Sequence, residues 1–371
     1  RLLTAYLQRP ELLEESDRLE DAGLVSATQL LLLQASRGPA PLYEEDMAIL
    51  LLRLFPDALE EIPFRFRPPF DELCHVIALR FFHRFGRSFG LFEAVEGFTP
   101  PVASDSSDPK GLPWPPPPRD EGPWRRTELF DRVFHWEVPP PREAPVAPEE
   151  ASRVWLTLSY DAGDFYAERY ALRAIGRDPD NAAAYQIWAY ANEESPDRAL
   201  SVLDAGLSRA EDSSGRDAAL LHLTKAEFLL DLDRRSEAVS ELFRTVECDP
   251  MDGLGVRYRL APLLIEEGRL DEAEALQDRY DEESAFFLWN RVLIAYARGG
   301  AVEARPLVAR ALEENEHVPD AITDPDARYL EQPGSYTPGE PSEAAVYVGE
   351  AEGAWRSVKG AKQWLKGLRR S

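Results

Sequence analysis

The chain has 371 residues, enough for two or three domains, and 44% of them are hydrophobic, so it can bury an ordinary core. Its 67 Asp and Glu residues outnumber the 42 Lys and Arg residues, which gives a formal net charge of −25 at pH 7. A negative field of this size argues against broad binding of nucleic acid or of anionic membrane surfaces. No apolar run approaches the roughly 18 residues of a membrane span, so we expect a cytoplasmic protein. The acidic composition, with more Arg than Lys, is typical of a GC-rich bacterial genome.

Residues 1–97 are predicted to form a helical N-terminal domain. Apolar residues at helical spacing predict helices over 44–55 and 71–85. Residues 98–124 are rich in Pro and Ser and predict a linker or loop without a core. Residues 125–148 predict a short helix or strand, followed by a second Pro-rich linker.

Two alternatives assign chemistry to this N-terminal region. In the first, the region is a winged-helix-like unit that binds nucleic acid, and the repeats that follow act as a sensor domain. Its basic residues would be Arg65, Arg67, Arg80, Arg84 and Arg87. In the second, Cys74, His75 and His83 belong to an enzyme or metal site. The sequence contains no phosphate-binding loop, zinc-protease motif or nucleophile motif, so we predict no catalytic residues, no cofactor and no metal.

Residues 149–315 predict five consecutive pairs of helices. Small residues recur at matching places in these pairs, for example Ala226 and Ala261 in the first helix of a pair, and Ala238 and Ala273 in the second. The last two lie 35 residues apart, and Pro250 closes a unit. A repeat of about 34 residues with this pattern resembles the tetratricopeptide repeat (TPR) family. The resemblance implies an all-α, right-handed α-solenoid.

The TPR resemblance also implies a concave groove lined by the first helix of each pair. Aligning these helices on their small residues places eight side chains in the groove: Gln186, Tyr190, Glu227, Tyr258, Arg259, Trp289, Asn290 and Tyr296. Aromatic rings with Arg and Asn suit the capture of a peptide, although an aromatic residue at such a position is also often core. Glu227 and Pro262 stand where the carboxylate clamp of chaperone-binding TPR domains would have Asn, so we predict no such clamp.

Residues 316–371 predict a loop and a C-terminal capping helix. The tail resembles the end of the suppression-of-tumorigenicity-seven family and of bacterial TPR proteins with the same ending. The matching residues are Asn315, His317, Val318, Pro319, Gly339, Ser342, Glu343, Ala344, Tyr347, Trp355, Gly360, Ala361 and Leu365. We interpret the tail as a cap that covers apolar surface of the last repeat. The sequence as a whole predicts a non-enzymatic scaffold for a protein or peptide partner.

Overall fold

The structure is a computed structural model of the chain. It describes residues 31–32, 34–36, 41–59, 62, 67–95, 101, 123–134, 145–160, 162, 164–210, 215–280, 282–324 and 334–368. Most of the predicted linkers and Arg65 lie outside these residues. The chain divides into two compact units, Arg1–Ala205 (unit 1) and Gly206–Ser371 (unit 2). The domain boundaries predicted from composition are not tested by this division and stay a prediction. Among the described helices, none is long and apolar enough to cross a membrane.

Unit 1 begins with short helices and a small antiparallel sheet. The elements are α1 (Glu44–Leu54), a 3-10 turn (Pro56–Leu59), α2 (Pro69–Val76) continued by a π-helix (Ile77–Arg87), β1 (Phe92–Ala94), β2 (Trp124–Arg126) and α3 (Glu128–Val133). In the sheet Phe92 lies opposite Arg126, and Leu42 forms a bridge to Trp124 on the other side of β2. Across the sheet the order is therefore Leu42, β2 and β1, and a winged-helix-like unit stays a prediction. The predicted helices over 44–55 and 71–85 are confirmed.

An aromatic cluster holds the π-helix on the sheet. Phe82 stacks on Trp124 with ring centroids 5.3 Å apart, and Phe92 packs edge-on against Phe82 at 5.1 Å. Gly86 allows the close approach, because a Cβ at this position would overlap the ring of Phe92. The sequence predicted a continuous helix here, and both the π-helical turns and the two strands were missed.

Helical pairs follow from residue 148 onward. They are α4 (Pro148–Tyr160), α5 (Asp164–Arg177), α6 (Ala182–Tyr190), α7 (Pro196–Ala210), α8 (Gly215–Asp231), α9 (Arg235–Cys248), α10 (Arg257–Glu266), α11 (Leu270–Tyr280) and α12 (Ala285–Glu314). Gly300 divides α12 into two helices, because its φ of 67° and ψ of −156° are not helical. These five pairs confirm the all-α repeat architecture.

The small residues that predicted the repeats are fully buried. Ala226, Ala238, Ala261 and Ala273 are all 0% exposed. The turn between α10 and α11 is made by Gly268, whose φ of 75° favours glycine. The spacing of small residues therefore reflects close approach of paired helices, as TPR-like packing requires.

Three further helices end the chain: α13 (Val318–Thr323), α14 (Pro341–Ser357) and α15 (Ala361–Leu368). Helix α14 packs against α10, α12 and α13, and α15 packs against α12 and α13. Tyr347 and Trp355 of α14 are 0% exposed. The buried side of α14 therefore packs against the repeat helices of unit 2.

Candidate functional site

Gln186 and Tyr190 are the two predicted groove residues of unit 1. Both lie on α6, whose opposite side is anchored by the buried rings of Tyr185 and Trp188. The indole N–H of Trp188 donates to Glu168 at 3.0 Å, which fixes the rotation of α6. Gln186 is half-buried and Tyr190 is 42% exposed, so Tyr190 presents a large aromatic surface to solvent.

The other six predicted residues lie in unit 2, on α8, α10 and the first half of α12. We call the surface formed there by Glu227, Arg259, Trp289, Asn290 and Tyr296 the unit 2 inner face. The structure brings four of these residues against the C-terminal helices, and Glu227 joins them through Arg259; the sequence did not predict these contacts.

Arg259 lies at the rim of this surface, between two carboxylates. Its Nη1 donates to Glu227 of α8 at 3.2 Å, and its Nε donates to Glu350 of α14 at 3.3 Å. Burial lowers the pKa of Arg259, but the neighbouring Glu350 and Glu227 outweigh that effect and raise it. All three side chains are about one-third exposed, so water screens the attraction. The cluster links α14 to the repeats, and the positive charge of Arg259 favours an acidic residue at position 350.

Asn290 and Trp289 form the buried centre of the inner face. Asn290 Oδ1 accepts from the hydroxyl of Tyr347 at 3.1 Å, and that hydroxyl accepts from the indole N–H of Trp355 at 2.8 Å. The indole of Trp289 donates to the carbonyl of Asn315 at 3.3 Å, and its ring lies 6.5 Å from that of Trp355. Trp289 is 0% and Asn290 1% exposed. Neither side chain can contact a peptide while α14 is in place.

Tyr296 lies further along α12, beneath α15. Its ring stacks on Trp364 with centroids 4.7 Å apart and an interplanar angle of 28°. Gly360, at the turn between α14 and α15, has a φ of 85° and lies so close that an added Cβ would be 3.1 Å from the Tyr296 hydroxyl. Small size and left-handed backbone together explain why glycine stands at this turn.

Tyr258 belongs to a polar cluster at the start of α10. Its hydroxyl donates to Glu282 at 2.8 Å and accepts from Arg257 at 2.8 Å. Its ring packs on Phe286 at 4.9 Å. Burial and the hydrogen bond to Glu282 raise the pKa of Tyr258 to about 12. These contacts join α10 to α12, and a role for Tyr258 in binding a partner stays a prediction.

The tail motif has a structural explanation at the start of α14. Asn315 Nδ2 donates to Glu343 at 2.9 Å and to the carbonyl of Glu340 at 3.1 Å. Asn315 Oδ1 accepts from the backbone N–H of His317, and Glu343 also accepts from the N–H of Gly339. These bonds fix the end of α12 to the start of α14.

Sequence reasoning missed Glu350, Trp355 and Trp364 as neighbours of the predicted groove. The tail motif includes Tyr347 and Trp355, but a motif does not say which surface it packs against. One signal was present: buried positions of α14 recur at helical spacing, at Ala344, Tyr347, Val348, Ala351, Ala354 and Trp355. The capping helix therefore covers the inner side of the last repeats as well as their end.

In unit 1 the ends of α1 and α2 that a winged helix would present to nucleic acid are occupied. Arg177 of α5 contacts Glu45 at 3.0 Å and Asp46 at 2.7 Å, and Tyr170 of α5 donates to the buried Asp71 of α2 at 2.9 Å. These acidic helix ends pack on the first repeat. Arg80, Arg84 and Arg87 lie further along, on the π-helix. Within the described part of unit 1, the geometry gives the nucleic-acid alternative no support.

The Cys and His residues of α2 and the π-helix lie in ordinary packing environments. Burial raises the pKa of the Cys74 thiol well above its usual value. Burial and the neighbouring Arg67 lower the pKa of His75 to about 4. Among the residues that the structure describes, no group of three His, Cys, Asp or Glu side chains is arranged to hold a metal ion.

No protein-family model matches the chain, and no curated protein is significantly similar to it. Among solved structures, the chain is similar to one described as "Crystal structure of YrrB: a TPR protein with an unusual peptide-binding site". The identity is 18%, the match covers 45% of this chain and 84% of that chain, and the TM-score is 0.35. A similarity at this level carries no functional argument, and the repeat fold rests on the helical pairs and buried alanines described above. The resemblance of the tail to the suppression-of-tumorigenicity-seven family stays a prediction.

Proposed function

We propose that this protein is a non-enzymatic scaffold that binds a protein or peptide partner on the inner side of its repeats. The observation that carries the proposal is that the unit 2 inner face already holds a helical segment of polypeptide, α14. It does so by aromatic packing, by the buried bond from Tyr347 to Asn290 and by the pair between Arg259 and Glu350. Aromatic anchors and Arg supply much of the affinity of protein interfaces.

Of the eight predicted groove residues, Tyr190 has the largest exposed fraction. It is 42% exposed on α6, and a Tyr side chain offers a rigid ring with a polar tip at little entropic cost. The net charge of −25 favours a partner without strong negative charge, so nucleic acid and anionic membranes are disfavoured. A cytoplasmic location belongs to the same proposal.

The test is capture of a partner by the tagged full-length chain and by two alanine variants. Tyr190→Ala removes the exposed ring of α6, and Val302→Ala removes a side chain that is 82% exposed on the second helix of the last pair. We expect the protein captured by wild type to be retained by Val302→Ala. We expect Tyr190→Ala to lose at least about tenfold in affinity, as for an interface hot spot. Equal capture by both variants would contradict the assignment of Tyr190.

A further inference from the structure

Helix α14 meets the repeats through an interface built like that of a bound ligand. One face of the helix is apolar and contacts α10 and α12, and its rim carries Glu350 against Arg259. Amphipathic helices bind protein grooves in this way, through anchors spaced three, four and seven residues apart. The apolar face of α14 has that spacing, with buried residues at 344, 347, 348, 351, 354 and 355.

The centre of this interface is polar, which favours one particular helix in one register. The hydroxyl of Tyr347 lies between Asn290 and Trp355 and bonds to both. A helix that lacks this hydroxyl leaves the buried Asn290 oxygen without the bond, which costs free energy.

For a partner to take its place, α14 must separate from the repeats. Residues 324–340 join the end of α13 to the start of α14, and residues 325–333 lie outside the part of the chain that the structure describes. Departure of α14 breaks the bonds of Glu343 to Asn315 and of Glu350 to Arg259, and it exposes Trp289 and Asn290.

We infer that α14 is an internal ligand of the unit 2 inner face, and that a partner binds there by presenting an amphipathic helix of the same pattern in its place. The pattern is an aromatic residue with a hydroxyl, an acidic residue three positions later and a second aromatic residue five positions after that. This inference rests on the proposed function and names its partner class. A tethered helix competes with a free partner at a high effective concentration. Helix α14 therefore also sets how tightly a partner must bind in order to displace it.

The experiment uses the full-length chain and a fluorescent synthetic peptide of residues 341–368. In the variant Glu350→Arg, the new arginine faces Arg259, so the tethered helix is weakened while the peptide keeps its glutamate. The matched control is Glu352→Arg, which makes the same charge change on the same helix, where Glu352 contacts Arg356 and Lys362 of the tail. We expect the peptide to bind Glu350→Arg at least about tenfold more tightly than wild type, and to bind the control as it binds wild type.

Equal peptide affinity for wild type and a folded Glu350→Arg chain would overturn the inference. If that variant does not fold, native-state hydrogen exchange on the wild-type chain decides the question. We expect the amides of α14 to exchange through an opening that leaves α10 and α12 protected. Exchange of α14 only together with the rest of unit 2 would show that the helix is fixed core. Partner capture that depends on Tyr190 would survive that result, so the two proposals fail separately.

Discussion

At the residue scale, the most consequential side chain is Tyr347. It is fully buried, and its hydroxyl joins the inner helix α12 to α14 and to Trp355. Burial strongly raises its pKa, so the hydroxyl keeps its proton and donates to Asn290. The sequence marked Tyr347 as a tail residue and Asn290 as a groove residue. It gave no means of pairing them, because a long-range hydrogen bond has no local pattern.

Tyr347→Phe tests this link. The substitution leaves the buried Asn290 oxygen and the Trp355 N–H without their common partner, so we expect a loss of about 1–3 kcal/mol in unfolding free energy. Urea denaturation followed by Trp fluorescence measures the loss. The control is Tyr336→Phe, since Tyr336 is 43% exposed, and it is expected to stay within about 0.5 kcal/mol of wild type. Equal stability of the two variants would mean that the hydrogen bonds contribute nothing.

Glu241 makes the contact between α8 and α9 sensitive to acid. Burial raises the pKa of this carboxyl, but bonds to His222 at 2.6 Å and Lys225 at 3.0 Å outweigh that effect and lower it to about 2. Because the pKa is lower in the folded state than the ordinary 4.5, the stabilisation is complete above that pH. It is lost as the pH falls towards 2 and the carboxyl protonates.

We therefore expect the difference in unfolding free energy between wild type and Glu241→Gln to shrink as the pH falls from about 4.5 to about 2. The difference near neutral pH is up to about 3 kcal/mol. Glu247→Gln, on the exposed side of the same helix, is the control. A difference that does not change with pH would show that the Glu241 carboxylate is not stabilised by its two neighbours.

At the scale of elements, the repeat helices were the most predictable part of the molecule. Small residues at fixed spacing reveal paired helices, because only Ala or Gly allows the close approach, and all four marker alanines are buried. A winged-helix-like unit 1 was an alternative and stays a prediction, and the two short strands of unit 1 were not predicted. Its strands pair residue 92 with residue 126 across a long interval, and strands of three residues are too short to show periodicity. The surface against which α14 packs was also not predicted, because its residues on α10 and α12 lie far from α14 along the chain.

Ala273→Leu tests the packing of the α10–α11 pair. Ala273 is 0% exposed, so a larger side chain overpacks the contact, and we expect a loss of about 1–3 kcal/mol. Ala275→Leu makes the same change two residues later, on the exposed side of α11, and is expected to be nearly neutral. Thermal unfolding of both variants measures the difference. A neutral Ala273→Leu would contradict the close helix approach on which the repeat assignment rests.

At the scale of the whole molecule, composition predicted the net charge and residue spacing predicted the all-α fold, but neither predicted which surfaces are open. Of the eight predicted groove residues, Trp289 and Asn290 are buried under α14, whereas Tyr190 is exposed. Trp289 is an aromatic residue at a predicted groove position that packs in the core, as such residues often do. A triple substitution at Tyr258, Arg259 and Trp289 would therefore disrupt unit 2 rather than test binding alone.

The most direct test of the central claim, that the inner side of the repeats binds a protein partner, is site-specific photo-crosslinking. A photoreactive phenylalanine analogue replaces Tyr190 in one full-length protein and Val302 in another, and each is incubated with the captured partner. Val302 is 82% exposed on the second helix of the last pair. We predict that the partner crosslinks from position 190 and not from position 302. Crosslinking from position 302 alone, or equally from both, would contradict binding on the inner side of the repeats.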